Sequence, residues 1–107
     1  MENIKIQDHM IKHGILPGAQ GFYDLVRVLE RCQDVQIKMP PLTRLCALVG
    51  AQRGVGWATV YADIRKCLAT SRAEGGFTLE GTPAKVVGLL ALEIWTGADV
   101  HKEDKKD

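Results

Sequence analysis

Apolar residues recur every three or four positions in five stretches of this 107-residue chain. Such spacing indicates amphipathic helices, and we expect helices over residues 3–13, 20–32, 42–49, 57–74 and 83–95. Glycine or proline residues separate these stretches, as is typical of helix ends. The pattern predicts an all-α fold, with about five to six helices in a compact bundle over residues 1–97. Residues 98–107 are expected to form a charged flexible tail.

The central segment, residues 40–74, is typical of two helices joined by a glycine-rich turn. Two prolines open it, and an apolar face follows at helical spacing: Leu42, Leu45, Cys46 and Val49. Three glycines between residues 50 and 56 predict that the first helix is broken there. The second helix begins near Trp57 and carries its own apolar stripe. This order predicts a helix-turn-helix, although an ordinary helical hairpin has the same pattern.

The last predicted helix is apolar on nearly all sides. Thr82 and Pro83 provide a helix start, and only Lys85 and Glu93 interrupt the apolar run that follows. A helix of this kind must be covered on more than one side. It is either a core helix wrapped by the rest of the chain or the contact surface for a second copy. In the second case the dimer interface would contain Val87, Leu90, Ile94 and Trp95.

The first two helices have simpler predictions. In the first, Ile4, Met10 and Ile11 are expected to make apolar contacts, while His9 and His13 share a face. Two histidines four residues apart can bind a metal, but without a third ligand nearby we expect two exposed side chains. In the second, a buried stripe is expected at Phe22, Leu25, Val26 and Leu29, with charges facing solvent at Asp24, Arg27, Glu30 and Arg31. Residues 35–39 are expected to form an extended linker.

Composition narrows the functional classes. The chain is 46% apolar and 25% charged, which is typical of a globular protein, and its net charge is only +1. Residues 38–72 are nevertheless locally basic, because six Lys and Arg residues are opposed there by Asp63 alone.

Three cysteines without CxxC spacing predict buried reduced thiols. The polar N-terminus and the absence of a membrane-length apolar run predict a cytoplasmic protein.

No catalytic motif is evident. The glycine-rich turn lacks the Lys-Ser/Thr pair of a phosphate-binding loop, and neither Gly-x-Ser-x-Gly nor HExxH occurs. We therefore expect no enzymatic activity, cofactor or metal.

The order of these features resembles a known family. Residues 14–25 (Gly-Ile-Leu-Pro-Gly-Ala-Gln-Gly-Phe-Tyr-Asp-Leu) resemble the start of the C-terminal effector domain of the sporulation master response regulator of endospore-forming bacteria. The proline-led helix, the turn, the Val60-x-x-x-Ile64-Arg65 spacing and the Thr82-Pro83 helix start follow in the family's order. The resemblance implies an all-α domain that binds DNA as a dimer and regulates transcription. It also implies that Arg65 matches a family arginine and that the recognition helix spans about residues 57–74.

Two functions remain open at this stage. In the first, the protein binds double-stranded DNA. The residues expected to contact bases and phosphates are Arg53, Thr59, Ala62, Arg65, Lys66, Arg44 and Arg72. In the second, it is a degenerate helical protein-interaction module that has lost DNA binding and binds another transcription regulator or its own copy. The second function is favoured by the low net charge and by Ala58, Thr59, Tyr61 and Ala62, which stand where the family has a Ser-Arg-x-Glu-Arg run.

Overall fold

The computed structural model describes residues 2–33 and 40–98, and its regular secondary structure there consists of five α-helices. They are α1 (Glu2–Lys12), α2 (Gln20–Glu30), α3 (Leu42–Arg53), α4 (Trp57–Ala73) and α5 (Pro83–Thr96). The all-α prediction is therefore confirmed. The extended linker predicted at residues 35–39 lies outside the described residues, as does the tail predicted at residues 98–107 apart from residue 98.

Helix boundaries follow local chemistry. The Thr82 hydroxyl accepts a hydrogen bond from the Lys85 backbone N–H at 3.3 Å, and Pro83 occupies the first turn, as predicted. Between α3 and α4, Gly54 adopts a left-handed conformation with φ of 79° and ends α3. The turn that joins these two helices is thus only three residues long, from Gly54 to Gly56.

The helix is broken within residues 50–56 as predicted, but only in the second half of that segment, because α3 continues through Gly50 to Arg53. The Val55 backbone N–H bonds the Gly50 carbonyl at 2.9 Å, so the turn folds back on the last turn of the helix. A Cβ atom at position 50 would lie 2.5 Å from the Val55 carbonyl oxygen. Gly50 therefore permits a close backbone approach and does not interrupt the helix.

One continuous hydrophobic core receives side chains from all five helices. Helix α4 packs mainly on α3 and α2, whereas α5 packs on α1, α2 and α4. The rest of the chain covers most of α5: five of its apolar residues are buried, namely Val86, Val87, Leu90, Ala91 and Ile94. Of the two predictions for this apolar helix, the described part of the structure favours a core helix wrapped by its own chain.

Of the three apolar contacts predicted for helix α1, Met10 is confirmed, whereas Ile4 and Ile11 were wrong. Ile6 and Met10 are fully buried, whereas Ile4 and Ile11 are exposed. The buried stripe of α2 is as predicted, but Asp24, expected at the surface, is fully buried. Cys32, Cys46 and Cys67 are all buried free thiols, as expected. None of the helices described in the structure is both long and apolar enough to cross a bilayer.

Candidate nucleic-acid interface

Helix α4 is buried on one side and open on the other. Val60, Ile64, Cys67 and Leu68 point into the core, as their helical spacing predicts. The four α4 residues predicted to face DNA, Thr59, Ala62, Arg65 and Lys66, are all exposed.

The exposed side of α4 carries small side chains along its centre and basic side chains along its edges. Ala58, Ala62, Ala69 and Ala73 recur at intervals of four and seven, so they form one row along the exposed face. Arg65 and Arg72, seven residues apart, follow one edge of this row, and Lys66 follows the other. We call this surface, comprising residues 58, 59, 62, 65, 66, 69, 70, 72 and 73, the outer face of α4.

Arg53 is engaged inside the protein. One of its guanidinium nitrogens, Nη1, donates to the Asp24 carboxylate at 2.7 Å and to the Asp63 carboxylate at 3.0 Å. Its side chain is mostly buried, and the two acids come from α2 and α4. The sequence placed Arg53 in an open turn and predicted a phosphate contact. The structure instead uses its charge to hold three helices together, which leaves little of it for a ligand.

Asp24 is the buried end of this ion pair. Burial raises the pKa of its carboxyl, and the hydrogen bond from Gln20 and the charge of Arg53 offset that increase only in part. Helical periodicity alone predicts that an aspartate in the middle of an amphipathic helix lies at the surface. Its partner, 29 residues later, is what permits burial.

The remaining predicted phosphate contacts lie at the surface. Arg44 is exposed on α3, and Arg72 is exposed near the end of α4. The Arg72 guanidinium donates to the Gly81 carbonyl at 2.8 Å and lies 4.9 Å from the centre of the Phe77 ring. These contacts hold the arginine in place without neutralising its charge.

The apolar stripe of α4 begins at Trp57, and its helical spacing predicts a core residue there, but the side chain is 48% exposed. Its ring meets Tyr61 edge-on, with ring centres 6.3 Å apart. The position at the very end of the helix explains the error, because the preceding turn does not cover the indole. A large exposed aromatic side chain therefore adjoins the outer face of α4.

The residues predicted for a dimer interface do not form a surface. Val87, Leu90 and Ile94 are buried within the same chain. Trp95 is half-buried, and its indole N–H donates to the Leu29 carbonyl at 2.9 Å. This set therefore cannot meet a second copy without α5 leaving the core, and dimerisation stays a prediction without a defined surface.

A polar cluster that the sequence analysis missed joins α1 to α5. The Glu93 carboxylate accepts hydrogen bonds from His9 Nδ1 and from His13 Nε2, the latter at 2.9 Å, and lies 3.2 Å from Lys12 Nζ. His13 is fully buried and Glu93 is 6% exposed. The expectation of two exposed histidines was therefore wrong. Only the position of Glu93, 80 residues further along, could have indicated the pairing.

The charge of Glu93 is well compensated. Burial alone would raise its pKa, but hydrogen bonds from His9, His13 and Lys12 outweigh burial and hold the pKa at about 2. His13 also bonds the loop after α4: its Nδ1 lies 3.0 Å from Thr78 Oγ1, and its carbonyl accepts the Thr78 backbone N–H at 2.9 Å. The cluster therefore ties together α1, α5 and that loop.

An open cleft of about 550 Å³ lies over this cluster, and its walls come from α1 and the end of α5. Its polar lining includes Lys5, His9, Lys12 and Glu93, and Trp95 forms an apolar wall. Among the residues that the structure describes, no group of three or more His, Cys, Asp or Glu side chains is arranged to bind a metal ion.

Comparison with known proteins adds no assignment. No protein-family model matches the chain, and no curated protein matches it significantly.

Proposed function

We propose that this chain binds double-stranded DNA through the outer face of α4 and regulates transcription, in the manner of the sporulation-regulator effector domain that its sequence resembles. The observation that carries the proposal is the outer face itself: an alanine row edged by Arg65, Arg72 and Lys66, and open along α4. The major groove of B-DNA admits an α-helix, and small side chains allow a close approach to the base edges.

Each group on the outer face has a role in this proposal. Arg65, Lys66 and Arg72 would contact phosphates on the two sides of the groove, and Arg44 would extend the contact on α3. Thr59 and Ala62 would face base edges, where a hydroxyl can hydrogen-bond and a methyl group can meet thymine. Asp63, the one carboxylate within α4, is paired with Arg53, which reduces its repulsion of the DNA backbone.

A titration of fluorescent duplex DNA tests the proposal. We expect non-specific binding at low salt with a Kd of roughly 10⁻⁶ to 10⁻⁴ M, weakening steeply as salt rises because counterions are released. Lys66→Ala and Arg65→Ala should each weaken binding and reduce the slope of log K against log salt by about 1. Anisotropy measured between about 50 and 200 mM salt gives both quantities.

Lys85→Ala is the matched control, because Lys85 is also an exposed helical lysine but lies in the first turn of α5. It should leave the affinity and the salt slope unchanged. If Lys85→Ala weakens binding as much as Lys66→Ala, the contact is diffuse and the outer face is not the interface. An absence of binding at low salt refutes the proposal directly.

The second candidate is a protein-interaction module, and the exposed indole of Trp57 beside Tyr61 favours it. Exposed aromatic residues are enriched in protein contact surfaces. The internal neutralisation of Arg53 also reduces the positive charge near α4. This function predicts that the protein does not bind DNA, sediments as a stable dimer and becomes monomeric with Trp57→Ala. That result would exclude the first function.

A further inference from the structure

The cleft between α1 and the end of α5 is separate from the outer face of α4, and no part of the proposed DNA contact uses it. Two of its polar groups are held in place by a hydrogen bond. Glu93 at its base is buried and accepts from His9 Nδ1, so Nε2 is the acceptor nitrogen of the neutral His9 ring, which lines the cleft. A histidine oriented by a carboxylate in this way presents a defined hydrogen-bonding atom to any molecule that enters.

The charge balance of the cleft is positive. Lys5 and Lys12 both line it, and Glu93, the one carboxylate among the lining residues that the structure describes, already accepts from His9, His13 and Lys12. The C-terminal end of α5 adds the partial negative charge of its last carbonyls, roughly half an elementary charge, which is smaller than the charge of one lysine. A ligand whose charge is complementary to the net positive charge of this cleft is therefore an anion.

One wall of the cleft is aromatic. The indole of Trp95 is fixed by its N–H bond to the Leu29 carbonyl, and Lys5 Nζ lies 6.0 Å from the ring centre. We propose that this cleft binds a small organic anion, whose carboxylate or phosphate group contacts Lys5 and Lys12 while its apolar part packs on Trp95. A cleft of about 550 Å³ lies within the size range of small-molecule sites.

Trp95 itself reports on the site. The chain has two tryptophans, so a Trp57→Phe background leaves Trp95 as the single indole fluorophore. Inorganic phosphate, acetate and phenyl phosphate are titrated separately at constant ionic strength, because added salt alone screens surface charges. We expect a saturable fluorescence change with phosphate or with acetate. Phenyl phosphate should bind about fivefold more tightly than phosphate, because its ring packs on the indole.

Lys5→Gln and Lys12→Gln are the test variants, and each should weaken binding by about fivefold. Lys5 is exposed and lies outside the Glu93 hydrogen bonds, so its replacement leaves the fold intact even if Lys12→Gln disturbs it. Lys85→Gln, which removes an exposed lysine at the other end of α5, should bind as the parent does.

The choice between phosphate and acetate as the better ligand identifies the acidic group. Binding of either one that depends on Lys5 supports the proposal. The absence of a saturable change with all three anions overturns it, as does equal affinity in Lys5→Gln and the parent. A phenyl phosphate affinity no higher than that of phosphate overturns the assignment of Trp95 as the apolar wall. DNA binding by the same variants is measured separately, so failure here leaves the function of α4 untouched.

Discussion

The outer face of α4 and the Glu93 cluster are built in opposite ways. On α4, every charged group of the outer face is exposed, and the helix is held by apolar residues on its other side. In the cluster, a carboxylate and a histidine are removed from water and depend on each other. The first surface can change its side chains at little cost in stability, whereas the second cannot. Substitutions are therefore expected to be tolerated on the outer face of α4 and to destabilise the fold between α1 and α5.

The largest expected effect is at the cluster. Glu93→Ala removes the acceptor of His9 and His13 and leaves a buried imidazole without its acidic partner. We expect the free energy of unfolding to fall by about 3–5 kcal/mol, because two histidine N–H donors lose their acceptor at a cost of about 1–3 kcal/mol each. Urea unfolding followed by circular dichroism measures it.

Glu80→Ala is the control, because Glu80 is an exposed glutamate in the loop before α5. It should change the free energy of unfolding by less than about 0.5 kcal/mol. A Glu93→Ala protein as stable as this control would mean that the buried cluster contributes nothing to holding α1 on α5.

The contrast between an apolar-backed helix and a buried polar cluster also explains which features the sequence could predict. Helical spacing correctly placed Val60, Ile64 and Cys67 in the core, because periodicity reports which side of a helix is apolar. It failed at His13, Asp24 and Arg53, which are polar residues whose burial depends on a partner far away in the chain. Spacing within one helix carries no information about such a partner. The approach of α1 to α5, and of α2 to α3 and α4, is a property of the packed fold.

The second effect tests the packing that supports α4. Gly21 on α2 lies so close to α4 that a Cβ atom there would be 2.0 Å from the Asp63 carbonyl oxygen. Gly21→Ala must push the two helices apart, and we expect a loss of about 3 kcal/mol in the free energy of unfolding. In contrast, Gly88→Ala in α5 meets no atom within 4 Å and should stabilise the helix by about 0.5–1 kcal/mol. Equal effects of the two substitutions in thermal unfolding would contradict the close approach of α2 and α4.

The third prediction separates the two buried carboxylates by pH. The pKa of Glu93 is lowered from 4.5 to about 2, so its ionised form stabilises the fold above about pH 4.5, and this contribution is lost as the pH falls towards 2. The pKa of Asp24 is raised from 3.8, so its ionisation opposes folding and its protonation at low pH favours the fold. As the pH falls, the stability advantage of the parent should shrink relative to Glu93→Gln and grow relative to Asp24→Asn. Urea midpoints measured between about pH 6 and pH 2.5 test this, and a parallel trend in both comparisons would contradict it.

The smallest effect on stability is expected at the centre of the outer face. Ala62→Glu places a carboxylate on an exposed helical position, where both residues are good helix formers, so the free energy of unfolding should change by less than about 0.5 kcal/mol. The same substitution sets a negative charge against the DNA backbone and should weaken DNA binding by about tenfold or more. Ala62→Gln, which has nearly the same shape without the charge, separates repulsion from bulk. If Ala62→Glu leaves the affinity unchanged but destabilises the protein as Gly21→Ala does, then α4 uses this side for packing, and the contrast between the two regions fails.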